Sequence, residues 1–200
     1  MLQFVDIKDA NDPLFVPWLE LYETAFPPEE RILASSFLAL LQEKSRGEWP
    51  ESFLQAAVDD GQFRALLRYD LVKEREAGYL WYLAVHPEAR SGGIGAQCFA
   101  HVLKRAIDAG MRALIWEVED PAECDEGARR DQANRRIAFY RRQGALILTG
   151  INYIQRIANQ PPIKMHITCR PIQQVTPQDV LDLAQRLLEG VNQVGELGLE

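Results

Sequence analysis

Residues Gly78 to Gly110 read GYLWYLAVHPEARSGGIGAQCFAHVLKRAIDAG, and the fold turns on how this stretch divides. Tyr79 to Val85 is an apolar and aromatic run of strand length, closed by His86-Pro87, which cannot continue a central ladder. Arg90 to Gly95, RSGGIG, is a glycine-rich turn whose amides can converge on one point without interference from Cβ atoms. From Ile94 the apolar residues Cys98, Phe99, Val102, Leu103, Ala106 and Ile107 recur at helical spacing, and Gly110 suits the position just past a helix end. Strand, glycine turn and helix N-terminus make an anion site, because the first amides of a helix are unpaired and its dipole adds positive potential. The stretch predicts a phosphate-bearing ligand.

Three phosphate motifs are separable here. A Walker loop ends in Gly-Lys-Ser/Thr, whereas this turn continues Gly95-Ala96-Gln97. A dinucleotide fingerprint needs a third glycine at Cys98 and no spacer between strand and glycines, yet His86 to Arg90 intervene. What remains is R-x-x-G-x-G, carried by Arg90, Gly93 and Gly95 between a strand and an amphipathic helix. That pattern resembles the acetyl-CoA signature of the GNAT superfamily of acyl-CoA-dependent N-acyltransferases. A second segment, NRRIAFYRRQG at residues 134–144, resembles that superfamily's other signature, with Asn134 and Tyr140 beside the cofactor thioester.

The resemblance implies an α/β (α+β) fold: a mixed, mostly antiparallel sheet of about six or seven strands, flanked by helices and splayed at the cofactor site. It implies acetyl-CoA, or a longer acyl-CoA, as donor, with the pyrophosphate on the amides of Ser91, Gly92, Gly93, Ile94, Gly95 and Ala96, and Arg90 beside them. The main chain of Leu83, Ala84 and Val85 would hold the pantetheine arm, and Asn134 would line the thioester. Residues 1–175 would form the acetyltransferase domain, with residues 176–200 a C-terminal helix packed on it or at a dimer interface.

Composition bounds the rest. The 200 residues are 47% hydrophobic and 26% charged, as in ordinary globular domains. No apolar run approaches the roughly 20 residues of a membrane span, and MLQFVDIKDAND lacks the basic and apolar regions of a secretion signal. Cys98, Cys124 and Cys169 are too scattered for a disulfide framework or a zinc site. These observations predict a cytoplasmic, metal-free protein. The net charge of −7 argues against a duplex nucleic-acid partner and mildly favours a cationic or amine one; the resemblance implies a small-molecule or peptide amine as acceptor.

Along the chain, Leu2 to Ile7 reads as a strand, and Asp12-Pro13 as the start of a helix reaching about Thr24 with Phe15, Trp18, Leu19 and Tyr22 on one face. Phe26-Pro27-Pro28 breaks it before a second helix, Ser35 to Lys44, ending near Gly47. By resemblance that connection overlies the acceptor side, making Phe26, Glu29 and Arg31 acceptor-pocket candidates. Leu54 to Asp59 and Gln62 to Val72 form a hairpin about Asp60-Gly61, and Ala113 to Glu119 is a strand parallel to Gly78–Val85 because a crossover helix separates them. Asp120 to Gln132 reads as a solvated loop whose Arg129 and Arg130 are within reach of a nucleotide phosphate, and Ala133 to Gln143 as a helix. A strand from Ala145, a last strand at Ile163 to Cys169 and a helix capped by Thr176 and running to about Glu189 complete the chain.

Acyl transfer needs a bound donor, a polarised carbonyl, a deprotonated amine and a proton for the departing thiolate. Tyr140 is the candidate acid, since a phenol of pKa about 10 suits a thiolate of about 8.5. Glu117 is the first candidate base and Glu119 the second, because they share a strand face on which desolvation raises a carboxylate. A water relay is the alternative base. A non-catalytic acyl-CoA sensor on the same fold is the alternative function.

Overall fold

A computed structural model gives the fold of the chain, with residues 1–46, 51–157 and 159–200 described. The expected helix end near Gly47 lies outside them. The chain forms two compact units: Met1–Asp70, Leu80–Leu103 and Ile157–Gln160 in the first; Leu71–Tyr79, Lys104–Arg156 and Pro161–Glu200 in the second. The described strands build a mixed, mostly antiparallel sheet with helices against it.

In the first unit β1 (Gln3–Asp6) pairs antiparallel with β2 (Ser52–Asp59), which forms a hairpin with β3 (Gln62–Val72). Asp60 and Gly61 turn it with φ of 50° and 73°, the double left-handed geometry that the right-handed twist of a hairpin selects. β4 (Ala77–Val85) neighbours β3. Against these strands lie α1 (Phe15–Ala25) and α2 (Ala34–Ser45), whose Trp18, Tyr22, Phe37 and Leu41 are buried with Leu54, Leu66 and Tyr82. The aromatic rings pack mostly edge to face, as between Tyr22 and Tyr82 at 4.8 Å. Trp18 keeps its buried indole N–H satisfied on the Gln55 carbonyl at 3.0 Å.

α1 begins at Phe15, later than Asp12-Pro13 suggests, and the cause is Pro17. A helix starting at Pro13 would need a hydrogen bond from the fifth residue, where Pro17 has no N–H. Starting at Phe15 puts Pro17 third, among the amides that need no partner, and Trp18 N–H makes the first bond, to Leu14 O at 3.1 Å. Asp12 holds the preceding turn by accepting the Leu14 N–H at 2.9 Å. Leu19 is only half-buried, and Leu21 takes its place in the core.

In the second unit β4 and β5 (Ala113–Glu119) run parallel, as the crossover through α3 (Ile94–Asp108) requires, with Ala77, Gly78 and Tyr79 opposite Ala113, Leu114 and Ile115. β5 is paired over its whole length with β8 (Ile163–Pro171), and β8 with β6 (Leu146–Asn152) and the short β7 (Ile154–Gln155). α5 (Pro177–Leu187) starts with a complete capping box between Thr176 and Asp179 and buries Val180, Leu181, Leu183 and Ala184.

Two features depart from the sequence reading. α4 (Ala128–Arg142) starts five residues before the expected Ala133, inside the stretch read as a loop. Its first turns are polar and carry no apolar periodicity, so they are held by charge instead, as the site below shows. Asn192–Leu199 forms β9, antiparallel to β6, where only a tail was expected. With β7 it brings the described strands to nine. Gly195 and Gly198 hide its alternation, and a bulge between Thr149 and Ile151 lets β6 receive it.

At that bulge Gly150 has a φ of 78°, and a Cβ there would lie 2.1 Å from the Glu196 carbonyl oxygen. Gly150→Ala is therefore expected to cost roughly 2–4 kcal/mol, since both the dihedral and the β9 backbone must yield. Urea denaturation with an unchanged midpoint would show that the close approach is not required.

Candidate active site

The glycine turn forms a cradle within the first unit. After Val85 a short 3₁₀ turn, Pro87–Ala89, leads to Arg90, whose Nε donates to the Val85 carbonyl at 3.2 Å and ties the loop to the strand end. Ser91 and Gly93 both lie in the left-handed region, with φ of 68° and 76°. A Cβ on Gly93 would meet nothing within 4 Å, so this glycine is required by its dihedral, and the space above it is open. Gln97 N–H makes the first helical bond of α3, to Gly93 O at 3.1 Å. The amides of Ile94, Gly95 and Ala96 precede it and face the helix entrance without an intrahelical acceptor. Such a cradle fits a pyrophosphate. Arg90, Ser91, Gly92 and Gly93 are exposed there, Ile94, Gly95 and Ala96 half-exposed, and Leu83, Ala84 and Val85 half-buried on β4. Ile107, expected on the buried face of α3, is exposed.

The acceptor-pocket candidates of this unit have structural partners. The Phe26 ring packs on Tyr22 and Tyr82, and Arg31 donates to the Glu23 carbonyl at 2.9 Å. Glu29 is exposed.

The two carboxylates of β5 lie in different environments within the second unit. Glu119 is buried and compensated: Arg129 Nε reaches its Oε1 at 2.9 Å and Arg136 its Oε2 at 3.2 Å. These arginines are seven residues apart, two turns of α4, and they fix the helix start that apolar periodicity could not show. Arg129 is thereby committed, while Arg130 donates to the Cys124 carbonyl at 2.8 Å and pairs with Glu126. Glu117 instead meets neutral donors. Tyr79 OH donates to its Oε2, Tyr153 OH to its Oε1, and Gln155 Nε2 to the same Oε1 at 3.2 Å. Burial pushes the Glu117 carboxyl above its ordinary range, and the three donors oppose that rise.

Tyr140 lies on the other face of β5. Its ring packs on Trp116 at 4.8 Å, beside an apolar crevice lined by Val118, Ile137, Ala145 and Ile147. Burial pushes its phenol up to about 12, against the lowering influence of Arg136. Asn134 stands two turns earlier on α4 and is exposed. The alternation of β5 therefore places the candidate acid and base on opposite faces.

Sequence reasoning missed Tyr79, Tyr153 and Gln155. Tyr79 was accessible through the parallel register, which sets it opposite Ile115 on the face of Glu117. Tyr153 sits in the single-residue break between β6 and β7, which no periodicity marks. Among the described residues no group of three or more His, Cys, Asp or Glu is placed to hold a metal, and no helix is long and apolar enough to cross a membrane.

A mixed sheet with a parallel pair, joined by a crossover helix that carries an amide cradle at its N-terminus, is an α/β arrangement suited to an anionic ligand. The profile of the Acetyltransferase (GNAT) family matches residues 15–145, and the chain belongs to that family. Its fold is similar to a GNAT-family acetyltransferase of Bacteroides thetaiotaomicron, with TM-score 0.71, 23% identity, and coverage of 92% of this chain and 95% of that one. It is similar to the ribosomal-protein-S18-alanine N-acetyltransferase of Escherichia coli, at TM-score 0.57 and 16% identity, covering 88% and 97% of the two chains. An aminoglycoside 6′-N-acetyltransferase complexed with coenzyme A matches at TM-score 0.59 and 17% identity, covering 87% and 99%. No curated protein sequence matches the chain. Family membership supports acyl-CoA-dependent acetyl transfer as the general activity.

Proposed function

We propose that this protein is an N-acetyltransferase that moves the acetyl group of acetyl-CoA to a primary amine delivered as a cation. The observation that carries the acceptor half is Glu117: among the described residues it has three neutral donors and no counter-cation, whereas its neighbour Glu119 has two arginines. A substrate ammonium would supply the missing charge. The acceptor carboxylate is thus Glu117 alone, since Glu119 is already neutralised.

In this reading the pyrophosphate rests on the amides of Ser91 to Ala96, and a main-chain amide of Leu83 to Val85 polarises the acetyl carbonyl. Glu117, directly or through water, takes a proton from the ammonium. The freed amine nitrogen attacks the carbonyl carbon, the C–N bond forms and the C–S bond breaks. Tyr140 gives its proton to the leaving thiolate and regains one from solvent.

Calorimetry with acetyl-CoA, followed by thiol release over a panel of cationic, neutral and acidic amines, tests the proposal. Turnover restricted to acidic or neutral acceptors would refute the cationic acceptor. Donor binding without turnover on any amine would favour an acyl-CoA sensor.

Glu117→Gln is expected to lower kcat/KM by roughly 10–100-fold and to remove the acidic limb of its pH profile, because a base must be deprotonated to act. It also has a stability signature. A carboxyl whose native pKa lies above its unfolded value takes up a proton on folding. Wild-type stability contributed by this group is then greatest below the unfolded pKa and falls as pH rises through the native one. The glutamine variant should lose that dependence and melt higher than wild type at neutral pH. An unaltered rate profile would leave deprotonation to water.

A further inference from the structure

Glu117 is held more completely than a general base requires. Both of its oxygens accept a phenol, Oε2 from Tyr79 and Oε1 from Tyr153, and the two tyrosines come from different parts of the sheet. Gln155 adds a third donor, and its own Oε1 is buried without a partner. Leaving a buried acceptor unmade is costly, so the amide is oriented by Glu117 and by nothing else in reach. The remaining surroundings are apolar or already neutralised. Ile167 of β8 stands opposite Glu117, Ile115 and the arginine-paired Glu119 flank it along β5, and α5 contributes Val180, Leu181, Leu183 and Ala184 to the same cluster.

We propose that Tyr79 and Tyr153 are positioning residues that fix the Glu117 carboxylate in one orientation and favour its anionic form by donating to both oxygens. The proposal rests on Glu117 as the base. The physical logic is a balance: desolvation favours the protonated acid, whereas a phenol donating to each oxygen favours the carboxylate, which alone can take a proton from the amine. With Gln155 also on Oε1, three of the carboxylate's roughly four acceptor directions are filled, which leaves one on Oε2 for the incoming ammonium. Without the phenols desolvation would act with less opposition, and the carboxyl would hold its proton to higher pH.

Tyr79→Phe and Tyr153→Phe test this, since each keeps the ring and removes only the donor. Glu117 is followed by carboxyl carbon NMR in the apo protein, its signal assigned by its absence in Glu117→Gln. Each phenylalanine variant is expected to raise the Glu117 midpoint, and to move the acidic limb of kcat/KM upward by about one pH unit, with acetyl-CoA affinity unchanged. Midpoint and limb unmoved in both variants would overturn the proposal and make the tyrosines packing residues. Should either variant fail to fold, Gln155→Leu, which removes the third donor from the two-residue β7, must give an upward shift; none would also overturn it. The two readings fail separately. Full turnover in Glu117→Gln would sink the base while the NMR shifts stood, and a static midpoint would sink the clamp while the base stood.

Discussion

Gly95→Asp is expected to abolish acetyl-CoA binding while leaving the protein at least as stable as before. Gly95 is the second residue of α3, and its amide is among those that precede the first helical bond. An aspartate there is a good residue for the helix, because it replaces glycine and places negative charge at the positive end of the dipole. The same charge stands where a pyrophosphate must approach. Stability and binding are therefore driven in opposite directions by one side chain, and loss of binding cannot be ascribed to unfolding. Gly93→Asp should abolish binding too, but at some cost to the fold, since φ of 76° disfavours any side chain. Calorimetric affinity falling by a factor of about 100 or more, roughly 2.7 kcal/mol, with a raised or unchanged melting temperature would meet the expectation. Unchanged affinity in folded Gly95→Asp would remove the cradle as the donor site.

Tyr140→Phe is expected to lower kcat by roughly 10²–10⁴-fold on the true acceptor with little change in donor affinity. The ring stays against Trp116, so the packing survives and only the proton is lost. A phenol pushed up to about 12 stays protonated across the working range, so Tyr140 should contribute no limb to the pH profile below that value. The variant should then show a lowered profile of unaltered shape, unlike Glu117→Gln, which should lose its acidic limb. Turnover within twofold or threefold of wild type would make Tyr140 a packing residue of the α4 and β5 contact.

Much of this architecture is written locally. Asp60-Gly61 announces its hairpin because few residues accept two positive φ values in succession, and Thr176-Pro177-Gln178-Asp179 announces α5 through a capping box. Arg90 to Gly95 announces a phosphate cradle because glycine, strand and helix occur in the one order that makes it. Pro17 also carried the true start of α1, through the amide it lacks. The rest depends on distant partners. The first turns of α4 are specified by Glu119, ten residues before Arg129 in a different element, and polar composition alone reads as loop. β9 is specified by Gly150 on another strand, where the missing side chain admits its backbone. The three donors around Glu117 come from β4, a strand break and β7, and only the folded register assembles them.

The pairing of β6 with β9 sets a timetable for synthesis. Leu148 of β6 takes Leu199 as its partner, about 50 residues further along the chain. At roughly 5–20 residues per second, β6 emerges several seconds before the strand that will cover its open edge. During that interval its unpaired N–H and C=O groups are a template for any extended segment nearby, including β6 of a neighbouring nascent chain. Gly150, which accelerates nothing by itself, decides whether β9 can seat once it arrives. A variant that bars β9 would hold β6 in its vulnerable form indefinitely, and its yield should fall with expression rate and recover when synthesis is slowed or cooled.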